Sequence, residues 1–529
     1  EAAEISAIGL GALLVPMFHF YHSDGSTDIA FGLLAVGLSL AVGACAAVAR
    51  TNRDRSKNRS FALLGVVTAV LLSGAALLIL PIWAAGVGIA LIGLMLLHVG
   101  QLSEDRRLAS IAWIFGAAGV LACPYSQIVD GTNLPNTIDA LHWAAQAAIA
   151  AAFAWRERTA GRDIAQFLTP AFLYLALSPL VSDQVEPLTA PVLLVGVAAI
   201  TRFKDLRLAP AMASCFMIII AWALSPLLTW SMAAAASLVG SPVLVSDVPG
   251  LADAIAKLLV PAALGGAAVL IAADRLHSHE RIAGCALSAL PGLIGAHSLY
   301  KQLFAISTPQ AFVDLGLVER TLWELAFASL AFLAVRLRRP VPGLILAAAA
   351  AAHELLYTLL LHNPLWSAQA VGGWPVLNML LPVYVLALGL AVAARRAVRP
   401  ISEEGTRAAD FIQMILIVLF AFSELRQLFH GALLTTPGLT GAEDILRSIL
   451  AIALAVGFLI WGITRQHRDW RIASLVLMLA AVGKVFLFDA SGLEGVTRIA
   501  SFVALGLSLI GIGWLYARHL GADRAAEPA

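Results

Sequence analysis

Apolar runs of about 17–25 residues follow one another from end to end of this chain, each long enough to cross a hydrocarbon core about 30 Å thick as a helix. The runs are continuous and lack the two-residue alternation of a barrel strand. Backbone facing lipid must satisfy its own hydrogen bonds, so the pattern predicts helices. The expected fold is all-α and polytopic, with about eighteen transmembrane helices arranged as consecutive hairpins. The first span is expected over 5–21 and the last over 496–517. The spans before the last are expected over 312–335, 341–361, 374–394, 409–431, 443–463 and 472–488. No domain boundary interrupts the series, so 1–529 reads as a single transmembrane domain.

The polar punctuation carries the orientation. Every second connection is basic, among them ARTNRDRSKNR, EDRR, RERTAGR, RFKDLR, DRLHSHER, RLRR, ARRAVR and TRQHRDWR. Lys and Arg accumulate on the cytoplasmic side, which predicts a bacterial inner-membrane protein with both termini cytoplasmic. The other connections and the spans hold more acidic than basic residues. Several of these outer connections are longer, notably LHNPLWSAQAVGGW, whose Pro, Gly and Trp predict re-entrant or interfacial pieces bordering an outward-facing cavity.

Composition agrees with the pattern. Of 529 residues, 60% are hydrophobic and 13% charged, against about 25% charged in a soluble domain. The net charge of +1 and the lack of a long basic stripe give no support for a nucleic-acid partner. Cys45, Cys123, Cys215 and Cys285 form no CxxC pair and read as small core residues. The first residue is Glu, and the first apolar run follows without a basic leader, so an N-terminal cytoplasmic extension is expected to precede the chain.

Four stretches, GGWPVLNMLLPVY from Gly372, SELRQLFHG from Ser423, AVGKVFLFDASGL from Ala481 and TRIASFVALGLSLIGIGWLY from Thr497, occur in this order and spacing. Over Gly372 to Leu520 the chain therefore resembles the C-terminal part of the bacterial polytopic membrane-protein family known as domain of unknown function 2339. The resemblance implies a large inner-membrane protein, often with an N-terminal cytoplasmic extension, and implies no activity. It directs attention to Glu424, Arg426, His430, Lys484, Asp489 and Arg498.

An ionisable side chain within a span is a functional hypothesis by default, because it costs roughly 2.5–3.5 kcal/mol on insertion scales. Glu324, Glu354, Glu424, Arg426 and Lys484 meet that test. Arg426 and His430 share a helix face, whereas Glu424 points about 200° away from Arg426 at 100° per residue. Lys484 and Asp489 are five apart and each needs a partner on another helix. The expectation is that Glu424, Arg426, Lys484, Asp489 and Arg498 converge near the outer leaflet as a substrate-binding, mixed-charge site, with His430 and Glu354 contributing. The alternative is interhelical ion pairs that only fix packing, the favoured reading for Glu443 with Arg447. His19, His22 and Asp24, and separately His353, Glu354 and His362, are potential metal ligands without a zinc spacing, so no metal and no cofactor are expected. His142 with Gln146 and His297 with Lys301 are i, i+4 polar pairs of the kind that hydrogen-bond between helices.

No nucleotide-binding loop or nucleophile elbow occurs. The expected function is transport or flipping of an envelope lipid or lipid-linked saccharide, with Arg426, Lys484 and Arg498 on the anionic headgroup. A membrane-embedded transferase using Asp24, Asp28 or Glu424 as base is the second reading, so enzyme status stays open. A scaffold for an envelope protein partner is the third.

Overall fold

The computed structural model describes residues 1–20, 25–51, 59–122, 136–204 and 206–487, together with 503, 507, 510 and 511. The described chain is helical. Its helices are α1 (Ala2–Phe20), α2 (Gly25–Arg50), α3 (Ser60–Ile79), α4 (Ile82–Leu102), α5 (Arg106–Leu121), α6 (Asn136–Arg156), α7 (Gly161–Leu177), α8 (Glu186–Phe203) and α9 (Ala209–Ser237). They continue with α10 (Leu251–Ile271), α11 (Ser278–Phe304), α12 (Pro309–Arg336), α13 (Pro340–Leu361), α14 (Leu380–Val398), α15 (Glu403–His430), α16 (Gly441–Thr464) and α17 (Arg468–Leu487). Twelve of the described helices are both long and apolar enough to cross a membrane.

The helices that pack most closely are α2 with α3, α4 with α5, α6 with α7, α12 with α13, α14 with α15 and α16 with α17. Each of these pairs is joined across a basic connection. Short connections force antiparallel neighbours, so the basic turns close the tight hairpins and the less basic connections lead from one hairpin to the next. Three of the turns share one backbone device. Glu104, Arg338 and Gln466 adopt positive φ (57°, 58° and 55°), and the next residue's N–H reaches back to the carbonyl of Gly100, Ala334 or Gly462. This is the left-handed helix stop that usually recruits glycine. Proline at the start of α13 and the Asp105 carboxylate, which accepts from Arg107 N at 2.9 Å, begin the return helices of two of them.

Glycine sets the spacing of the α4–α5 hairpin. A Cβ on Gly119 would sit 2.6 Å from Gly86 O and Ala90 N, and one on Gly93 would sit 2.9 Å from Ala112 O and Gly116 N. The two backbones therefore touch, as small residues allow in membrane helices.

The chain divides into two compact units, one of residues 1–229 and 249–299, the other of 230–248 and 300–529. In the first, Leu71, Leu97, Leu108 and Ala112 are fully buried at the centre of the α1–α5 core, and Ala190, Leu194 and Cys215 centre a second core from α8–α10. In the second unit, Leu317, Val371, Leu380, Val383, Tyr384 and Leu434 form the core around α12–α15.

The connection between α6 and α7 shows how one buried carboxylate closes a turn. Glu157 Oε1 accepts from Arg158 N at 2.9 Å, Thr159 N at 3.1 Å and Thr159 Oγ1 at 2.9 Å, and Oε2 accepts from Trp113 Nε1 at 3.4 Å. Burial works to raise the carboxyl pKa, but the Thr159, Arg158 and Trp113 hydrogen bonds outweigh it and hold Glu157 below its ordinary value of 4.5. A depressed folded value means that this stabilisation is present above the unfolded carboxyl value of 4.5 and is lost as pH falls through the folded one. Glu157→Gln is therefore expected to lower the melting temperature at neutral pH, with the difference from wild type shrinking as thermal melts are taken toward pH 3. A difference that does not vary with pH would remove the charge from this account.

Candidate functional site

The second unit buries its ionisable groups where α13 changes geometry. Residues His353–Leu361 leave the α-helical pattern for a π-helix, a rare arrangement that recurs at functional sites. Bonding from i to i+5 brings Tyr357 edge-to-face against His362, with ring centroids 4.7 Å apart. The same turn directs Glu354 and Thr358 toward α12. There Thr358 Oγ1 donates to Glu324 Oε1 at 2.6 Å, and His353 Nδ1 lies 2.7 Å from the same oxygen. The Glu354 carboxyl is a close neighbour of Glu324. Both glutamates are fully buried. Glu324 Oε2 and both Glu354 oxygens have no donor among the described residues.

Cations surround this pair. Arg320, one turn before Glu324 on α12, is buried over the rings of Phe312 at 5.0 Å and Tyr357 at 5.6 Å. Its Nη2 donates to Gln369 Oε1 at 3.1 Å, while Nε and Nη1 are unbonded among the described residues. A Cβ on Gly316 would crowd Phe312 at 2.9 Å and Arg320 Nη1 at 3.2 Å, so the missing side chain is what lets the guanidinium fold onto the ring. Beside Arg320, Lys301 Nζ sits 2.9 Å from both oxygens of Glu319, with both side chains buried. The group is a five-member array of two cations and three carboxyls, flanked by His353 and by buried His362, whose Nε2 is unbonded among the described residues.

The stretch 362–379 wraps over this array. It is irregular backbone, and His362, Asn363, Pro364, Gln369 and Val371 are buried in it, the condition under which such backbone is tolerated at membrane depth. Ala370 N donates to Val313 O at 2.8 Å and Val371 N to Ala432 O at 2.9 Å. The helix expected from 374 begins only at Leu380. Val376 at φ 64° and Gly372 at φ 105° break it, and Asn378 Oδ1 accepts from Leu380 N at 2.8 Å to start it.

Glu424 of α15 is a strut for that wrap. Its Oε2 accepts from Val376 N at 3.0 Å and Asn378 Nδ2 at 3.1 Å, and its Oε1 is unbonded among the described residues. Arg426 and His430 point elsewhere. Arg426 donates to the carbonyls of Leu434, Thr436 and Gly438 and reaches Glu443 at 3.0 Å, while His430 Nε2 is 2.9 Å from Glu443 and Arg447 is 2.7 Å from it. Lys484 meets the next residue, Asp444, at 2.8 Å and Ser448 Oγ at 3.0 Å. The start of α16 thus gathers Arg426, His430, Arg447 and Lys484 on two adjacent carboxylates. Glu424 serves the wrap, and Glu354 belongs to the π-helix array. Asp489 and Arg498 lie outside the described residues, as do His22, Asp24 and Cys123.

The family described as predicted membrane protein DUF2339 matches residues 4–519. The chain belongs to the DUF2339 family of membrane proteins. The family likeness read from 372–520 extends over nearly the whole sequence. No curated protein and no solved structure matches the chain.

For this DUF2339 chain, sequence reading found Glu324 and Glu354 as lone carboxylates in apolar spans. It missed Glu319, Arg320 and Gln369. The available signal was LVERTLWEL, which sets three charges within six residues of an expected span. Among the described residues the acidic and imidazole groups close enough to share an ion are His277, His279 and Glu280, not the His353, Glu354 and His362 set. Arg207 donates to Glu280 at 2.9 Å, and its guanidinium charge opposes a cation there.

Proposed function

We propose that this membrane protein couples proton movement through Glu324 and Glu354 to transport of an amphipathic envelope lipid or lipid-linked saccharide. The observation that carries the reading is the Glu354 carboxyl, fully buried, with no donor to either oxygen among the described residues, lying against a second buried carboxyl. Two carboxylates cannot both keep their charge side by side away from water, and a single shared proton turns their repulsion into a hydrogen bond. Adding or removing that proton changes the charge of a buried array by one, which biases two conformations whose wrap and π-helix sit differently around it. In this reading the protein lies in the bacterial inner membrane with its basic turns and termini cytoplasmic. Its cargo partners are membrane lipids. A transferase with Glu424 as base draws less support, because Glu424 already braces Val376 and Asn378.

The test uses proteoliposomes carrying a fluorescent phosphatidylglycerol, with transbilayer movement followed by dithionite quenching with and without an imposed pH gradient. Wild type is expected to move the probe faster than empty vesicles and to respond to the gradient. Glu354→Gln, which keeps the size and the hydrogen bond but not the exchangeable proton, is expected to lose the response. Equal gradient dependence in wild type and Glu354→Gln would sink proton coupling through this pair.

A further inference from the structure

The first unit holds a cavity of about 790 Å³ among α7, α9, α10 and α11, at the end of those helices that carries basic turns. Its wall is apolar, from Phe216, Met217, Ile220 and Leu287, and its mouth is charged, with Arg162, Asp163, Arg207 and Glu280. That volume falls within the roughly 300–1,000 Å³ of sites that hold small molecules. Met217 and Leu287 expose 57% and 40% of their surface toward it and its surroundings.

Three features of the mouth define an occupant. Arg207 is engaged by Glu280 at 2.9 Å, whereas Arg162 makes no ion pair among the described residues and presents its charge at the rim. Gln166, one turn into α7, is 5% exposed, lines the cavity, and has an Oε1 with no donor among the described residues. A buried amide oxygen left without a donor is costly, so its presence in a cavity wall points to a ligand that brings one. Below these polar groups the wall offers only hydrocarbon.

We infer that this cavity binds a glycerophospholipid whose headgroup carries a hydrogen-bond donor, such as phosphatidylethanolamine. Arg162 takes the phosphate, Gln166 Oε1 accepts from the headgroup amine, Asp163 balances the ammonium charge, and one acyl chain runs along Phe216, Met217, Ile220 and Leu287. Guanidinium suits phosphate through its fork of donors. This assignment is independent of proton coupling at Glu354, since it concerns binding in the other unit.

Native mass spectrometry of the full detergent-purified chain, titrated with phosphatidylethanolamine, tests it. Wild type is expected to bind one lipid at least about tenfold more tightly than Arg162→Ala, the loss that accompanies one charge-assisted bond. Ala213→Trp, which fills the cavity from an exposed wall position, is expected to abolish that step. Phosphatidylcholine, which has no donor for Gln166, is expected to bind more weakly than phosphatidylethanolamine to wild type and equally to Gln166→Leu. Inorganic phosphate is expected not to displace the lipid. Equal lipid affinity in wild type, Arg162→Ala and Ala213→Trp would overturn the site. Displacement by inorganic phosphate alone would overturn the lipid as its occupant. Because Arg162 is exposed, its variant reports on binding even if Ala213→Trp fails to fold.

Discussion

Glu443→Ala is expected to destabilise the second unit by about 3–5 kcal/mol, the cost of leaving a buried charge without its partner. Here three partners are stranded together. Glu443 is fully buried at the first turn of α16, and its two oxygens hold Arg426 at 3.0 Å, His430 at 2.9 Å and Arg447 at 2.7 Å. Its own backbone N–H is capped by Thr440 Oγ1, and a carboxylate in a first turn also gains from the helix dipole. Without it, Arg426 keeps its three carbonyl partners in the connection 431–440, so the turn persists while three cationic or protonatable groups crowd one site. Glu443→Gln is expected to cost less than Ala because the amide oxygen still accepts. Thermal unfolding in detergent, read by tryptophan fluorescence, separates the outcomes. A melting temperature for Glu443→Ala equal to wild type would show that the cluster contributes nothing measurable.

This cluster also shows what the sequence could and could not express. The helices were legible because apolarity over about twenty residues is a local property, and the basic turns that close the hairpins were legible because they are contiguous. That Glu424 and Arg426 cannot serve one partner follows from their angle around α15. Their actual partners do not follow from it. Glu424 meets Val376 only because Gly372 and Val376 take positive φ and turn 362–379 back over the helices, a backbone choice that apolar content hides. Lys484 meets Asp444 rather than a residue of its own helix because α16 and α17 form a hairpin. Arg320 was obscured for a related reason. Its neighbours Tyr357 and Gln369 come from the π-helix and the wrap, and neither a π-helix nor irregular buried backbone has a hydrophobic period to read.

The second large effect concerns Lys301 and Glu319, and its sign depends on which partner is removed. Glu319→Met is expected to destabilise by about 3–5 kcal/mol, because it leaves the Lys301 ammonium buried beside the Arg320 guanidinium with no intervening carboxylate. Lys301→Met is expected to cost less. The stranded Glu319 still feels Arg320, whose two unbonded nitrogens can reorient toward it. The double variant Lys301→Met/Glu319→Met removes a matched pair and fills similar volume with thioether chains, so it is expected to recover most of the loss, as buried pairs replaced by apolar residues do. Thermal melts of the four proteins form a double-mutant cycle whose coupling isolates the pair. Additive single effects would mean that the ion pair does not act as a unit. A double variant that melts like wild type yet loses the proposed gradient response of lipid movement would place the pair with Glu324 and Glu354 in the charge balance of one array, since fold and packing would then be intact while the net charge beside the proposed shared proton is unchanged and its local field is not.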